Sequence, residues 1–385
     1  MSANALPTCC LEIPFACLCL ALLSSTACEP DVVYVEHEGG GASTSTAPPG
    51  GGDAAGAAGA AGSWRPGLPP PAPVGGGPGD GPGIVLAIKK LFLGDQGWDG
   101  VSSKSAWKQF GYDLDGRIST KESKDLCKPA PGASAPAVYP DGENGIDNAW
   151  GKNILPLMLS LSSDMSDQVN TALAAGELSY VVKIDQLGPK PDYDPLVGRW
   201  YRARDKGSPA KLDGSDTWPV AAESLSNPQD IDSALVKFAQ SYLAANTWVS
   251  GTGSFAPGTV AIELPVLGGS VPLVLPLSYG VVTMQIAPDR SGAAQGIIAG
   301  IMDTERFVDE LRKMAGAFDP GLCKGNAFDG LANQLRQASD ILVDGTQDPT
   351  KTCSGISVGL GFEAVAAQLG AVATPEPPPP DPCKG

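Results

Sequence analysis

A mainly β body is what this chain predicts: an antiparallel β-sandwich of the jelly-roll or concanavalin-like kind with two or three short helices, following a disordered tether. Three observations predict it. Short runs rich in β-branched and aromatic residues recur through the middle of the chain, Gly, Pro, Asn and Asp turns separate them, and helical apolar stripes are few. Such spacing suits a sandwich or a barrel, and the sandwich is the expected form.

The first segment, residues 1–27, reads as a lipoprotein signal peptide. Its apolar run from Ile13 to Leu23 is too short to cross a bilayer, and Ser24-Ser-Thr-Ala leads to Cys28, the expected lipidated residue. Ser25 stands where such signals usually carry Leu, and the leader holds Glu12 with no Lys or Arg. A secretory leader without lipid is the competing reading. Residues 28–84 follow as a tether of Gly, Ala, Pro, Ser and Thr, with too few large apolar groups to offset the entropy of ordering.

The globular domain is expected over residues 85–374. Its strands are read at Leu178–Ile184, Gly198–Ala203, Thr247–Val249, Thr259–Leu264, Val271–Leu277 and Gly280–Ile286, with Ile356–Val365 closing the domain. Gly268-Gly269 signals a hairpin, and Pro272 and Pro276 mark their strand as an edge or a bulge. Helices are read over Asp303–Ala315 and Asn326–Val343, with another over 152–175 broken near Ser162-Ser163. Residues 375–385 form a Pro-rich tail.

Charge and cysteine usage bound the function. A net charge of -16 argues against nucleic acid as a partner and favours divalent cations. Five of the 9 cysteines lie in the leader or at its cut site, leaving Cys127, Cys323, Cys353 and Cys383. In an oxidising compartment these allow two disulfides, expected as Cys323–Cys353 and Cys127–Cys383, with free buried thiols as the alternative.

The single histidine, His37, lies in the tether, which removes Ser-His-Asp and Cys-His catalysis and His-ligated zinc. Carboxylates remain. Gly111-Tyr-Asp-Leu-Asp-Gly-Arg-Ile-Ser-Thr-Lys-Glu122 fits most of an EF-hand calcium loop: Asp113 and Asp115 as ligands, Gly116 at the sharp turn, the carbonyl of Arg117, and Glu122 as the bidentate residue. Gly111 stands at the first position where an Asp is usual. Asp141, Asn144, Asp147 and Asn148, spaced by glycines, form a second oxygen-rich loop, and the two loops together suit one shared structural calcium site. Asx-turns in an ordinary acidic loop are the alternative. Asp213-Gly-Ser-Asp-Thr-Trp218 reads as a turn leading to a packed tryptophan.

Gly111-Tyr-Asp-Leu-Asp-Gly116, Cys127-Lys-Pro129, Asp141-Gly with Gly145-Ile-Asp-Asn148, Gly151-Lys-Asn-Ile-Leu-Pro156, Asp213–Trp218 and Cys353–Phe362 carry a resemblance to uncharacterised secreted lipoproteins of myxobacteria and related delta-proteobacteria. The resemblance spans most of the body and implies that these loops belong to one domain. No activity is attached to that group.

The expected role is therefore a lipid-anchored cell-envelope protein, held in the outer membrane and facing the periplasm or the cell surface. Its calcium-stiffened domain would act without catalysis in surface binding or adhesion, toward a polysaccharide or an envelope protein. Trp200, Trp218 and Trp248 could stack on sugars, although a core role is the simpler reading. The alternative is a carbohydrate-active enzyme using paired Asp or Glu residues on the same scaffold.

Overall fold

The structure is a computed structural model. It describes residues 65–251, 260–265, 271–323, 326, 328–375, 377 and 381–384. The leader, Cys28, His37 and the Gly268-Gly269 turn lie outside the described residues.

The sheet closes on itself. Its strands are β1 (Ile84–Phe92), β2 (Ser179–Asp185), β3 (Tyr193–Ala203), β4 (Thr217–Val220), β5 (Val236–Ala244), β6 (Thr247–Val249), β7 (Val260–Leu264), β8 (Leu273–Ile286), β9 (Gly292–Asp303), β10 (Gly355–Ala366) and β11 (Gln368–Val372). The order β3-β2-β1-β10-β9-β8-β6-β5 returns to β3 through a β3–β5 pairing, so an 8-strand antiparallel barrel forms. β7 adds a hairpin arm to β8, β4 pairs with β3, and β11 pairs parallel to β4.

This corrects the expected open sandwich. The alternating pattern within each strand is the same in both folds; what separates them is which distant strands pair. β3 meets β2 along Ser179–Asp185 and β5 from Val236 to Leu243, while β1 meets β10 across the middle of the ring. The strand expected as an edge or a bulge is unpaired on one side up to Pro276 and irregular just beyond it. The runs at 271–277 and 280–286 are one strand, β8, with Pro276 opposite Ala261 of β7 and the ladder to β9 beginning at Leu277. Pro276 therefore occupies a stretch where β9 asks nothing of its missing N–H. Register shifts between Ser278 and Val281 bend the strand there.

The barrel is filled. Tyr180, Trp200, Phe238, Trp248, Leu275, Ile298 and Phe362 belong to one buried cluster that also takes in all but the first of the helices. The helices are α1 (Ala135–Val138), α2 (Leu155–Leu161), α3 (Met165–Ala175), α4 (Thr304–Phe318) and α5 (Asp329–Gln337). Asp303 caps α4 by accepting from the Arg306 amide at 2.8 Å, and Phe307, Val308, Leu311 and Met314 are buried, as the helical spacing predicts. A second layer covers the outer face of the barrel: Phe110, with Trp98, Tyr112 and Leu114, packs on Val249, Val281, Ile297 and Ala299.

Part of the segment expected to be tether lies on the barrel. From Arg65 to Gly83 the chain is held by Tyr242 Oη donating to the Pro70 carbonyl at 2.6 Å, by the Asp194 amide donating to Gly77 at 2.9 Å, and by Asp80 accepting from Tyr193 and Lys190. Composition hides this, because the segment is held through its backbone and two charged side chains, Arg65 and Asp80.

Both expected disulfide pairings are corrected. The bonds are Cys127–Cys353 and Cys323–Cys383. Residues 127–128 run beside 351–353, with the Lys128 amide donating to Lys351 at 2.7 Å and the Cys353 amide donating to Lys128 at 2.9 Å, which brings the first two sulfurs together. Cys383 returns to the end of α4, where Cys323 lies next to it.

Candidate metal centre

The loop from Phe110 to Arg117 is laid onto β10 by two features. Gly359 leaves no side chain where a Cβ would stand 2.2 Å from the Phe110 carbonyl oxygen. Asn148, fully buried, donates to the carbonyls of Trp107, Phe110 and Gly359 at 3.0–3.1 Å and accepts from the amides of Gly151 and Gly359. One amide side chain thus ties three segments together and sets its neighbour Asp147 against the acidic loop.

Asp147 Oδ2 accepts from the amides of Leu114 at 2.6 Å and Asp115 at 3.3 Å. Asp113 Oδ1 accepts from Gly116 at 2.6 Å and Arg117 at 3.0 Å, and Asp115 Oδ1 accepts from Arg117 at 2.8 Å. Gly116, at φ +78°, makes the turn that folds the loop back on its own carboxylates. Ligand oxygens of Asp113, Asp115 and Asp147 lie within 4.8 Å of one another, so this triad could hold a metal ion.

Two further carboxylates share its field. Asp141 accepts from the Ser119 amide, and Asp340 accepts from the Ser357 amide at 2.9 Å and from its hydroxyl at 2.5 Å. Gln347 bridges, donating to Asp115 Oδ2 at 2.7 Å and to the Asp340 carbonyl at 3.1 Å while accepting from the Cys127 amide. Two cations approach. Arg65 pairs with Asp113 Oδ2, and Lys152 donates to the carbonyls of Val138 and Pro140.

Burial and mutual repulsion push these carboxyl groups up. Asp147 is raised well above the carboxylate range, first by burial and then by Asp115, Asp141 and Asp340. Burial, again with neighbouring carboxylates, moves Asp141 to about 8 and Asp115 to about 6; burial moves Asp340 to about 6, with Asp115 adding to it. Asp113 is raised by burial despite Arg65. Lys152 is pushed down to about 8 by burial, with Asp340 and Asp141 opposing the shift. Five carboxyl groups therefore crowd a poorly solvated region with two cations near them, an arrangement that favours either protons or an added cation.

Of the residues expected as ligands, Asp113, Asp115 and Asp147 converge and Asp141 joins their electrostatic group. Arg117 serves through its amide; its side chain pairs with Asp125 and its carbonyl lies against Gly145. Asn144, exposed at φ 58°, offers its carbonyl to Arg65 at 3.0 Å. Asn148 is scaffold. Glu122 is not brought in: it is exposed and meets Thr120 and Lys121, because no helix follows the loop to carry a twelfth position inward. The EF-hand geometry is absent, and the DxDG turn survives without it. Asp340, Gln347 and Arg65 were invisible to spacing, since they lie far along the chain from the acidic loops, and Lys152, five residues after Asp147, belongs to no ligand pattern.

Trp200, Trp218 and Trp248 are all buried, so none is a sugar platform. Asp213 closes a turn by accepting from Ser215, and Asp216 next to it pairs with Lys206 below Trp218. Among the described residues no helix is long and apolar enough to cross a membrane. Comparison with models of protein families, with curated proteins and with solved structures finds no match to this chain.

Proposed function

We propose that this chain is a lipid-anchored cell-envelope protein whose barrel is stiffened by calcium at Asp113, Asp115 and Asp147, and that it works by binding or adhesion rather than catalysis. The observation that carries the metal is the convergence of Asp113, Asp115 and Asp147 within a group of five carboxyl groups and only two cations. All its donors are oxygens, which suits a hard cation, and calcium accepts loop carboxylates in looser geometry than magnesium does. Asp141, which shares the electrostatic field of the triad, is the further carboxylate proposed to complete the shell. Cation binding would relieve the repulsion and lock residues 110–117, 141–148 and 340–347 into one unit.

The anchoring rests on the Ser24–Cys28 junction alone. Binding is favoured over catalysis because the carboxylates are engaged by backbone amides. Two open clefts, of about 660 Å³ along Pro73–Gly77 with Lys190–Asp192 and of about 250 Å³ along Gly132–Val138 with Gln334–Ala338, hold none of the five. The carbohydrate-active alternative needs paired carboxylates beside exposed aromatic rings, and no observation favours it.

Calorimetric titration of the purified full chain with calcium tests the metal. Stoichiometric heat that disappears in Asp113→Asn and in Asp147→Asn supports it; silence at millimolar calcium removes it. For the anchor, Cys28→Ser should move the protein from the membrane fraction to the soluble fraction, and an unchanged distribution would overturn lipidation at that residue.

A further inference from the structure

The two disulfides have opposite surroundings. Cys127 and Cys353 are 0% and 5% exposed and share a cluster with Leu342. Their backbones are bound into the paired segments 127–128 and 351–353, and Gln347 accepts from the Cys127 amide at 2.9 Å. Cys323 and Cys383 are half-buried, and none of residues 320–323 or 381–384, which carry that bond, is buried. Gly316 of α4 lets it lie against the helix, since a Cβ there would stand 2.5 Å from Cys323 Sγ and 2.6 Å from Cys383 Sγ. Thiol–disulfide exchange needs a thiolate to reach a sulfur, so a bond at the surface exchanges in the native state while a bond in the core waits for unfolding.

The surface bond also carries the C-terminal end of the chain. The Ala373 amide donates to Val220 at 2.8 Å. From Thr374 to Pro382 no described residue hydrogen-bonds to the body of the fold, and Asp381 accepts only from its neighbours Cys383 and Lys384. At Cys383 the chain meets α4 again: its Sγ lies 3.6 Å from the Arg312 carbonyl oxygen, and Pro382 would stand 3.4 Å from a Cβ at Gly316. One covalent bond and a small patch of contacts thus join Pro382–Lys384 to the helix.

We propose that Cys323–Cys383 is a thiol-exchange site, opened in the native protein by a dithiol that leaves Cys127–Cys353 closed, and that its opening frees the C-terminal end from α4. A thiolate of the dithiol attacks one of the two sulfurs, the S–S bond breaks, and the other cysteine leaves as a thiolate that takes up a proton. The second thiol then displaces the mixed disulfide. The dithiol is oxidised to a disulfide, and its two electrons and two protons end on Cys323 and Cys383. The barrel keeps its core bond throughout, so the change is confined to the end of α4 and the chain's last residues. Neither the metal nor the anchor enters this step.

The test is timed reduction of the native full chain by dithiothreitol at neutral pH, quenched with an alkylating reagent and mapped by peptide mass spectrometry. Cys323 and Cys383 should be labelled together and at least about tenfold faster than Cys127 and Cys353, which should wait for denaturant. Hydrogen exchange of the selectively reduced chain should quicken at Cys383, at Lys384 and over Ala315–Asp319, and stay unchanged along β10. A chain carrying both Cys323→Ser and Cys383→Ser should show the same exchange without reductant. Labelling of all four cysteines at one rate, labelling of Cys127 and Cys353 first, or no labelling before denaturant would overturn the exchange site. Selective labelling with unaltered exchange at Cys383 and Lys384 would overturn the release.

Discussion

Asp147 and Asn148 are adjacent, both buried, and do opposite work. Asn148 has a hydrogen-bond partner for each polar atom, so truncation leaves carbonyls and amides of three segments unpaired in the interior. Asn148→Ala should lose about 3 kcal/mol of stability in urea unfolding while still binding calcium once folded. Loss of calcium binding in a chain that remains folded would make it a ligand after all. Asp147 instead is a buried acid that burial and its acidic neighbours keep toward the neutral form. With calcium chelated, Asp115, Asp340 and Asp141 have folded-state values of about 6, 6 and 8 against roughly 3.9 in the unfolded chain. The native state therefore holds more protons than the unfolded state between about pH 4 and pH 8, and stability falls as pH rises through that window. The unfolding temperature of the chelated protein should drop steadily from pH 5 to pH 8, and saturating calcium should abolish the drop. A flat profile without calcium would mean that these carboxyl groups are solvated.

Strand β10 shows how one element can serve a barrel and a site. On its inner face Ile356, Val358, Leu360 and Phe362 are buried in the core, as its alternation predicts. Its glycines do the rest. Gly359 and Gly361 stand where side chains would run into Phe110, so the acidic loop can lie flat on the strand. Gly359→Ala meets a backbone oxygen that cannot swing away, and should cost about 3 kcal/mol and weaken calcium binding; unchanged affinity would detach the loop's position from the strand. The Cys127–Cys353 bond acts at the same junction, joining the loop that follows the DxDG turn to the segment entering β10. Non-reducing peptide mapping should recover Cys127 with Cys353 and Cys323 with Cys383, and a peptide joining Cys323 to Cys353 would refute the fold in this region. Removing Cys127 and Cys353 together should cost roughly 2–4 kcal/mol.

Across the molecule, the calcium site proposed above predicts a ligand that binds the native state only. At a hundredfold excess over its dissociation constant it would add about 2.7 kcal/mol, a rise of several degrees in unfolding temperature. No rise, with binding shown by calorimetry, would mean that the unfolded chain binds equally well. Much of the molecule could be read along the chain. Strands β2, β6, β7 and β10 and helices α2, α3 and α4 carry local patterns strong enough to place them, and Asp113, Asp115 and Asp147 stand out because carboxylates spaced by Gly and Asn repeat a known turn chemistry. Strand β9 was missed because its Ala and Gly residues have little strand preference of their own; burial between β8 and β10 supplies what propensity does not. Pairing across long distances was beyond reach in the same way. Whether β3 finds β5, which cysteine meets which, and that Arg65, Asp340 and Gln347 surround a loop hundreds of residues from two of them all depend on contacts between segments with no local signature. Periodicity, turn residues and charge spacing are local, and the chain's own order carries them. Ring closure, disulfide partners and the crowding that drives five carboxyl groups together arise only when the whole chain packs, because burial and repulsion are properties of neighbours in space.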